Sequence, residues 1–208
     1  VTTYGEYLNM NIWKVFVNHL PPTILINIYS TLIGVPIGLG LGILAALKKN
    51  KWQDQLINIF IILLISVPGI VLALMIQYVF CFKLGWFPLT MSTSNDYFTW
   101  DVFHSMLPAV FALCLGPIAR YARYTRAELS EVLTGEFMLL ARTKGLTKGQ
   151  AISRHAMRNS MVVIFPSILA EFIGVLSGSL VIEKMFGING VGGLYLNSIT
   201  FQDYDFFM

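Results

Sequence analysis

The chain has 208 residues, of which 56% are hydrophobic and 12% are charged, and its mean hydropathy is +0.68. This composition excludes an ordinary soluble domain, because so few charges cannot cover the surface of a globule of this size. The net charge of +3 would suit an anionic partner such as nucleic acid, but the basic residues are clustered between apolar stretches. We therefore expect a lipid bilayer as the surroundings and no nucleic-acid partner.

The first 22 residues are predicted to be an extracytoplasmic segment, and residues 23–208 to form a transmembrane domain. Apolar residues recur at near-helical spacing in 9–19. They indicate an interfacial helix closed by Pro21 and Pro22, with a packed connector as the equal alternative. The chain begins at Val1, and a new apolar run starts near Tyr204. We therefore expect a fragment with at least one helix missing at each end.

Four apolar stretches are long enough to cross about 30 Å of hydrocarbon as helices. They cover residues 24–47, 56–82, 105–118 with their flanks, and 161–182. Eleven of the fourteen basic residues follow the first stretch or lie between the third and the fourth. The positive-inside rule places those residues in the cytoplasm. The chain is thus predicted to be a multi-pass membrane protein.

Glycines recur every four residues in the first stretch, at Gly34, Gly38 and Gly42. This spacing leaves one helix face without side chains, so that another helix can approach closely. A hinge for a transport cycle is the alternative. The second stretch contains the sequence SVPG at residues 66–69, and the missing amide of its proline predicts a bend there. A bent helix suits the wall of a cavity that changes shape.

One carboxylate, Glu171, lies well inside a predicted span, and its burial is costly unless it faces a partner or water. No basic residue is expected at the same depth, so two interpretations remain open. Glu171 faces the transport pathway, or it makes a structural hydrogen bond to Ser177 or to another subunit. The candidate pathway residues are Ser66, Pro68, Gln77, Glu171 and Ser177.

The segment between the third and fourth stretches has about forty residues, far more than a helix hairpin needs. Residues 137–145 have a helical pattern that ends at Gly145, which can adopt the positive φ of a helix stop. Thr147 is placed to cap a following helix. A short exposed helix between two turns suggests a knob that inserts into a partner protein. Binding of the basic residues to anionic lipid head groups is the alternative.

Several ordered motifs follow one another in the second half of the chain. They are ARYARYTRAEL from Ala119, EVL from Glu131, ARTKGLT from Ala141, HAMRN from His155 and VIEKMFGINGVGGL from Val181. Together they closely resemble the inner-membrane permease subunits of ABC importers, specifically the oligopeptide, dipeptide and nickel branch of that family.

In that family, a motif named after one glutamate and two alanines forms a short coupling helix that docks in a groove of the cytoplasmic ATPase subunit. Gly145 matches the glycine of the motif and Ala141 its last alanine, whereas Leu139 and Leu140 replace the glutamate and the first alanine. The resemblance implies that the ATPase contact is made by Phe137, Leu139, Leu140, Ala141, Arg142, Lys144 and Gly145.

The resemblance also implies an all-α polytopic protein of a prokaryotic plasma membrane, with the type I importer permease fold, which forms a pathway for peptides. The expected partners are a second permease subunit in a heterodimer or homodimer, two cytoplasmic ATPase subunits, an extracytoplasmic substrate-binding protein and membrane lipid. The ATPase subunits would bind ATP and Mg. No catalytic residue, cofactor or metal is expected in this chain.

Two other classes of membrane protein are less consistent with the sequence. An intramembrane protease would need a serine and a histidine at one depth, but His19, His104 and His155 lie near or outside the predicted boundaries. A secondary carrier or channel for small solutes would need no docking helix, and no paired intramembrane charges are expected here. The glycine-rich residues 187–193 lack the lysine and hydroxyl residue that end a phosphate-binding loop.

Overall fold

The computed structural model describes residues 10–92 and 97–202, except for the side chains at positions 137, 139, 141, 142 and 177. Every regular element within these residues is helical. The α-helices are α1 (Ile12–Leu47), α2 (Trp52–Ser66), α3 (Gly69–Ile76), α4 (Trp100–Thr134), α5 (Glu136–Thr143), α6 (Lys148–Ala151), α7 (Met157–Gly174), α8 (Leu180–Met185) and α9 (Val191–Thr200). A π-helical turn, Gln77–Lys83, continues α3, and a second one, Ile152–Ala156, joins α6 to α7.

The chain forms two compact units. The first unit comprises Val1–Ser30, Pro68–Leu113 and Ile173–Met208, and the second comprises Thr31–Val67 and Cys114–Phe172.

Three helical segments are long and apolar enough to cross a membrane, namely Ile12–Leu47, Trp100–Thr134 and Lys148–Gly174. A broken pair, Trp52–Ser66 and Gly69–Lys83, raises the number within the described residues to four. Between its two halves, Val67 has φ −93° and ψ 128°, and Pro68 has ψ 135°, so the backbone is extended there. The predicted bend is confirmed, and the predicted number of four spans agrees with the structure when the broken pair is counted as one span.

The predicted proline-terminated helix at 9–19 is wrong, because α1 runs without interruption from Ile12 through Pro21 and Pro22. A proline removes one amide donor, which costs about 3 kcal/mol in a water-exposed helix interior. In membrane helices this loss is tolerated, since neighbouring groups satisfy the freed carbonyls. The extracytoplasmic location of residues 1–22 remains a prediction.

The predicted limits of the fourth span, 161–182, are also wrong. The helix begins at Lys148 and ends at Gly174. After one 3₁₀ turn, Gly178 has φ +64°, a backbone conformation that removes the chain from any right-handed helix. Hydropathy did not detect this end because the residues beyond it stay apolar while the backbone turns.

The glycine face of α1 packs directly on α4 within the second unit. A Cβ added at Gly38 would lie 2.9 Å from the carbonyl oxygen of Ile118, and one at Gly42 would lie 2.6 Å from Cβ of Thr125. Real Cβ atoms are not found at such distances from their neighbours, so the close helix approach predicted from the glycine spacing is confirmed.

A Gly42→Ala substitution is expected to destabilise the protein by about 1–3 kcal/mol, because the new methyl group forces α1 and α4 apart. Gly40 provides a matched control in the same helix, since a Cβ there meets nothing within 4 Å. Gly40→Ala should be neutral or stabilising, as expected from helix propensity. Thermal unfolding in detergent would compare the two, and equal midpoints would contradict the packing argument.

Candidate functional sites

The short helix α5 is held between two defined turns. The amide of Met138 donates to the carbonyl of Gly135 at 3.1 Å, and the chain leaves the helix at Gly145, whose φ is +81°. Thr147 then caps α6: its hydroxyl accepts from the amide of Gln150 at 3.4 Å, and its own amide donates to the Gln150 side chain at 3.1 Å. The predicted helix, glycine stop and threonine cap are all confirmed.

One side of α5 is anchored in the second unit by Met138, which is 3% exposed. The buried residues of this cluster are Ala46, Leu129, Met138, Ala151 and Ala156. They connect α5 to the end of α1, to α4 and to the start of the last span. Met138 was not among the predicted coupling residues, because the sequence pattern does not reveal which side of so short a helix faces inward.

The opposite side of α5 is exposed. Leu140 is 54% exposed, and Glu136, Thr143 and Lys144 beside it are also exposed. Their spacing of four, seven and eight residues places them on one helix face, which we call the docking face. An exposed leucine within a charged rim is typical of a protein contact. Gly145 is exposed as well, while the side chains of Phe137, Leu139, Ala141 and Arg142 lie outside the described part.

An ion pair joins the buried Asp54 of α2 to the partly exposed Arg126 of α4 in the second unit. Arg126 donates from Nε to Oδ1 of Asp54 at 2.6 Å and from Nη2 to Oδ2 at 2.9 Å. Asp54 is 2% exposed and also accepts from the amide of Asn50 and the side chain of Asn58. All its acceptor positions are thus used to hold the turn between α1 and α2 against α4.

A second ion pair, between Arg120 and Glu171, contradicts two predictions: that Glu171 has no basic partner, and that the spans contain no paired charges. Nη1 of Arg120 lies 2.6 Å from Oε2 of Glu171. Glu171 therefore has a basic partner at its own depth, and the expectation that no paired intramembrane charges occur is wrong. The reason is that the packing of α4 against α7 brings Arg120 to Glu171, although the two residues are 51 positions apart in the chain.

In the first unit, Glu183 lies within α8, just before the turn to α9, and is completely buried. Its Oε1 accepts from the amide of Ser179 at 3.1 Å, and its Oε2 from the amide of Gly192 at 2.7 Å. The hydroxyl of Thr23 in α1 also hydrogen-bonds the carboxylate and accepts from the amide of Val191 at 2.9 Å. One carboxylate is thus hydrogen-bonded to the residue before α8, to α9 and to α1.

Glycine is required around Glu183. A Cβ added at Gly178, Gly190 or Gly192 would collide with its carboxylate. Burial raises the pKa of Glu183 above the ordinary range of a glutamate, and the hydrogen bonds from Gly192, Ser179 and Thr23 offset part of that rise. Sequence reasoning missed this residue; the available signal was an acidic residue followed closely by a glycine-rich run at 187–193.

The predicted pathway residues are divided between the two units. Gln77 is half-buried, and its Nε2 donates to the carbonyls of Leu89 and Met185, at 3.1 and 2.9 Å. It therefore supports the backbone of the first unit. Ser66 and Pro68 are exposed at the break in the second span, and the side chain of Ser177 lies outside the description. A lining role for these residues remains a prediction.

Residues 38–208 match the protein family described as "Binding-protein-dependent transport system inner membrane component". Among curated proteins, the chain is 30% identical over 202 residues to the dipeptide transport system permease protein of Lactococcus lactis subsp. cremoris, covering 97% of this chain and 64% of that protein. It is 35% identical over 188 residues to the corresponding Bacillus subtilis protein, covering 90% and 58%.

A glutathione transport system permease protein of Escherichia coli is 33% identical over 183 residues, covering 88% of this chain and 57% of that protein. The chain thus spans about three fifths of the length of these relatives. A crystal structure of an amino acid ABC transporter with histidines aligns with a TM-score of 0.70 and 20% identity, covering 94% of this chain and 83% of that one. At this identity, the likeness concerns the fold.

Proposed function

Because the chain belongs to the family of binding-protein-dependent transport system inner membrane components, we propose that it is the membrane-spanning subunit of an ATP-driven importer of peptides. In this proposal the chain forms part of the translocation pathway. Conformational changes of the ATPase subunits, driven by ATP hydrolysis, are transmitted to it through α5. It is a transport permease of the plasma membrane rather than an enzyme, and ATP hydrolysis belongs to separate subunits.

The observation that carries the proposal is the geometry of α5. Its inner side is fixed by Met138 in a cluster that includes residues of α1, α4 and the α6–α7 segment. Its outer side presents Leu140 without a covering residue in the described part of the second unit. A displacement of the docking face is therefore expected to move α1, α4 and the α6–α7 segment together.

Peptides are the substrate class that the relatives favour. The similar proteins are named for dipeptide and glutathione transport, and both kinds of substrate are short peptides with free carboxylates. A second permease subunit, two ATPase subunits that bind ATP and Mg, an extracytoplasmic binding protein and membrane lipid complete the proposed assembly.

A Leu140→Glu substitution tests the coupling role. We expect ATP-dependent peptide uptake by the assembled transporter to fall about tenfold or more, since a charge replaces the apolar centre of the docking contact. Leu47→Glu is a matched control, because Leu47 is also an exposed leucine of the second unit, 42% exposed, but does not belong to the docking face.

The readouts are uptake into proteoliposomes and retention of the ATPase subunits on affinity purification. Leu140→Glu should lose both, while Leu47→Glu and the conservative Leu140→Met should keep them. Normal uptake by Leu140→Glu would contradict docking through this face, and uptake by the unaltered protein without ATP would instead favour a secondary carrier.

A further inference from the structure

The Arg120–Glu171 pair differs from the pair at Asp54. Only Nη1 of Arg120 contacts Glu171, whereas a guanidinium has five N–H donors. No other nitrogen of Arg120 has a hydrogen-bond partner within the described residues. The Arg120 side chain is 55% exposed, against 18% for Glu171. Most of the donor capacity of this arginine is therefore still available.

The depth of the pair follows from the packing of the second unit. Leu129 of α4 packs in one cluster with Ala46, at the end of α1. Exposed lysines and Trp52 come directly after α1 and mark the cytoplasmic boundary. Arg120 precedes Leu129 by nine positions, which is about 14 Å along a helix. With about 30 Å of hydrocarbon, the pair lies near the middle of the membrane.

An arginine at this depth cannot face lipid without a large cost, and intramembrane charges are found facing protein or a water-filled cavity. The exposed part of Arg120 therefore faces either the water-filled pathway or a second subunit. Its neighbour Tyr121 is fully buried, and the Tyr121 hydroxyl donates to the carbonyl of Ser167 at 2.8 Å. This bond holds α4 and α7 in register and keeps Arg120 beside Glu171.

We propose that Arg120 binds the free carboxylate of the transported peptide, and that Glu171 is the resident counter-ion which the substrate carboxylate replaces. A guanidinium suits this role because its planar donors match a carboxylate in a bidentate geometry. Glu171 keeps the charge of Arg120 compensated whenever the pathway is empty. The inference rests on the proposed import of peptides and adds the substrate group that the membrane subunit itself recognises.

The test compares dialanine with dialanine amide, which lacks the free carboxylate. Each is supplied already bound to the substrate-binding protein, so that the preference of that protein does not enter the comparison. ATP-dependent uptake is measured in proteoliposomes containing the complete transporter. For Arg120→Gln we expect uptake of dialanine to fall about tenfold or more relative to the unaltered chain, because a charge-assisted pair of hydrogen bonds is lost. Uptake of the amide should change less than threefold.

Three further variants separate ligand binding from a structural role. Glu171→Gln breaks the same ion pair but should keep the preference for dialanine over its amide. Arg123→Gln removes another exposed charge one turn away and should change neither uptake. Arg120→Lys keeps the positive charge but lacks the planar guanidinium, so its preference for dialanine over the amide should be reduced. This variant provides a readout if Arg120→Gln does not assemble.

Equal losses of dialanine and amide uptake in Arg120→Gln, or an unchanged preference in Arg120→Lys, would overturn the inference and assign the pair to a structural contact, including one with a second subunit. These outcomes leave the proposed function intact if the unaltered chain supports ATP-dependent uptake. Absence of any such uptake by the unaltered complex would instead overturn the proposed function, and the inference with it.

Discussion

An Asp54→Ala protein is expected to lose about 3–5 kcal/mol of its unfolding free energy, because the substitution leaves the Arg126 guanidinium without its counter-ion. The Asp54 carboxylate is 2% exposed and accepts four hydrogen bonds, two of them from Arg126. The change also removes the acceptor for the amide of Asn50, whose φ of +65° is unusual for a residue other than glycine. The tight turn between α1 and α2 would therefore open.

The measurement is unfolding in mixed detergent micelles followed by tryptophan fluorescence, since Trp52 lies two residues from the pair. Asn58→Ala is the matched control: it removes one neutral donor from the same carboxylate and should cost only about 1 kcal/mol. A double variant, Asp54→Ala with Arg126→Met, should recover part of the loss because no unpaired charge is left. A double variant less stable than Asp54→Ala would refute this explanation.

Replacement of Glu183 by alanine should destabilise the turn between α8 and α9 by about 2–4 kcal/mol. The buried amides of Ser179 and Gly192 would lose their acceptor, and each unsatisfied donor costs about 1–3 kcal/mol. Part of the cost is regained because a buried charge is removed. Hydrogen exchange should show faster exchange in residues 178–194 while the second unit keeps its protection.

Lys184→Ala is the control for this experiment, because Lys184 is exposed and adjacent in sequence; its protection pattern should match that of the unaltered chain. The turn should also respond to pH. Since the folded pKa of Glu183 is raised, the folded state binds the proton more tightly than the unfolded state. Stability of the turn is therefore greatest at acid pH and falls as the pH rises through the folded pKa. Glu183→Gln should lack this pH dependence, and a retained dependence would assign it to another group.

These two carboxylates illustrate the limits of prediction from the sequence. Asp54 and Glu183 occur close to the predicted ends of apolar stretches, where a charged residue is ordinarily solvated. Their burial depends on Arg126 and on Thr23, which are 72 and 160 positions away in the chain. Glu171 was selected correctly as unusual from its depth alone, but its partner Arg120 was not identified, because the two residues are 51 positions apart and only the packing of α4 against α7 brings them together.

Features that depend on short stretches of sequence were predicted correctly. The break at 66–69, the glycine face of α1, the stop at Gly145 and the cap at Thr147 were all predicted, because each depends on a few neighbouring residues and on fixed backbone requirements. The family and the helical membrane fold inferred from the motifs are confirmed as well. The contacts made by the docking helix with an ATPase remain a prediction.

By itself, the sequence determined that this chain is a helical membrane permease, since hydropathy, charge asymmetry and ordered motifs are all properties of residues close together in the chain. Only the tertiary structure decided which charges are paired, where the last span ends and which face of α5 is free. Those features depend on contacts between distant residues and on backbone turns within apolar sequence. Neither produces a pattern of hydropathy or charge that can be recognised in the sequence.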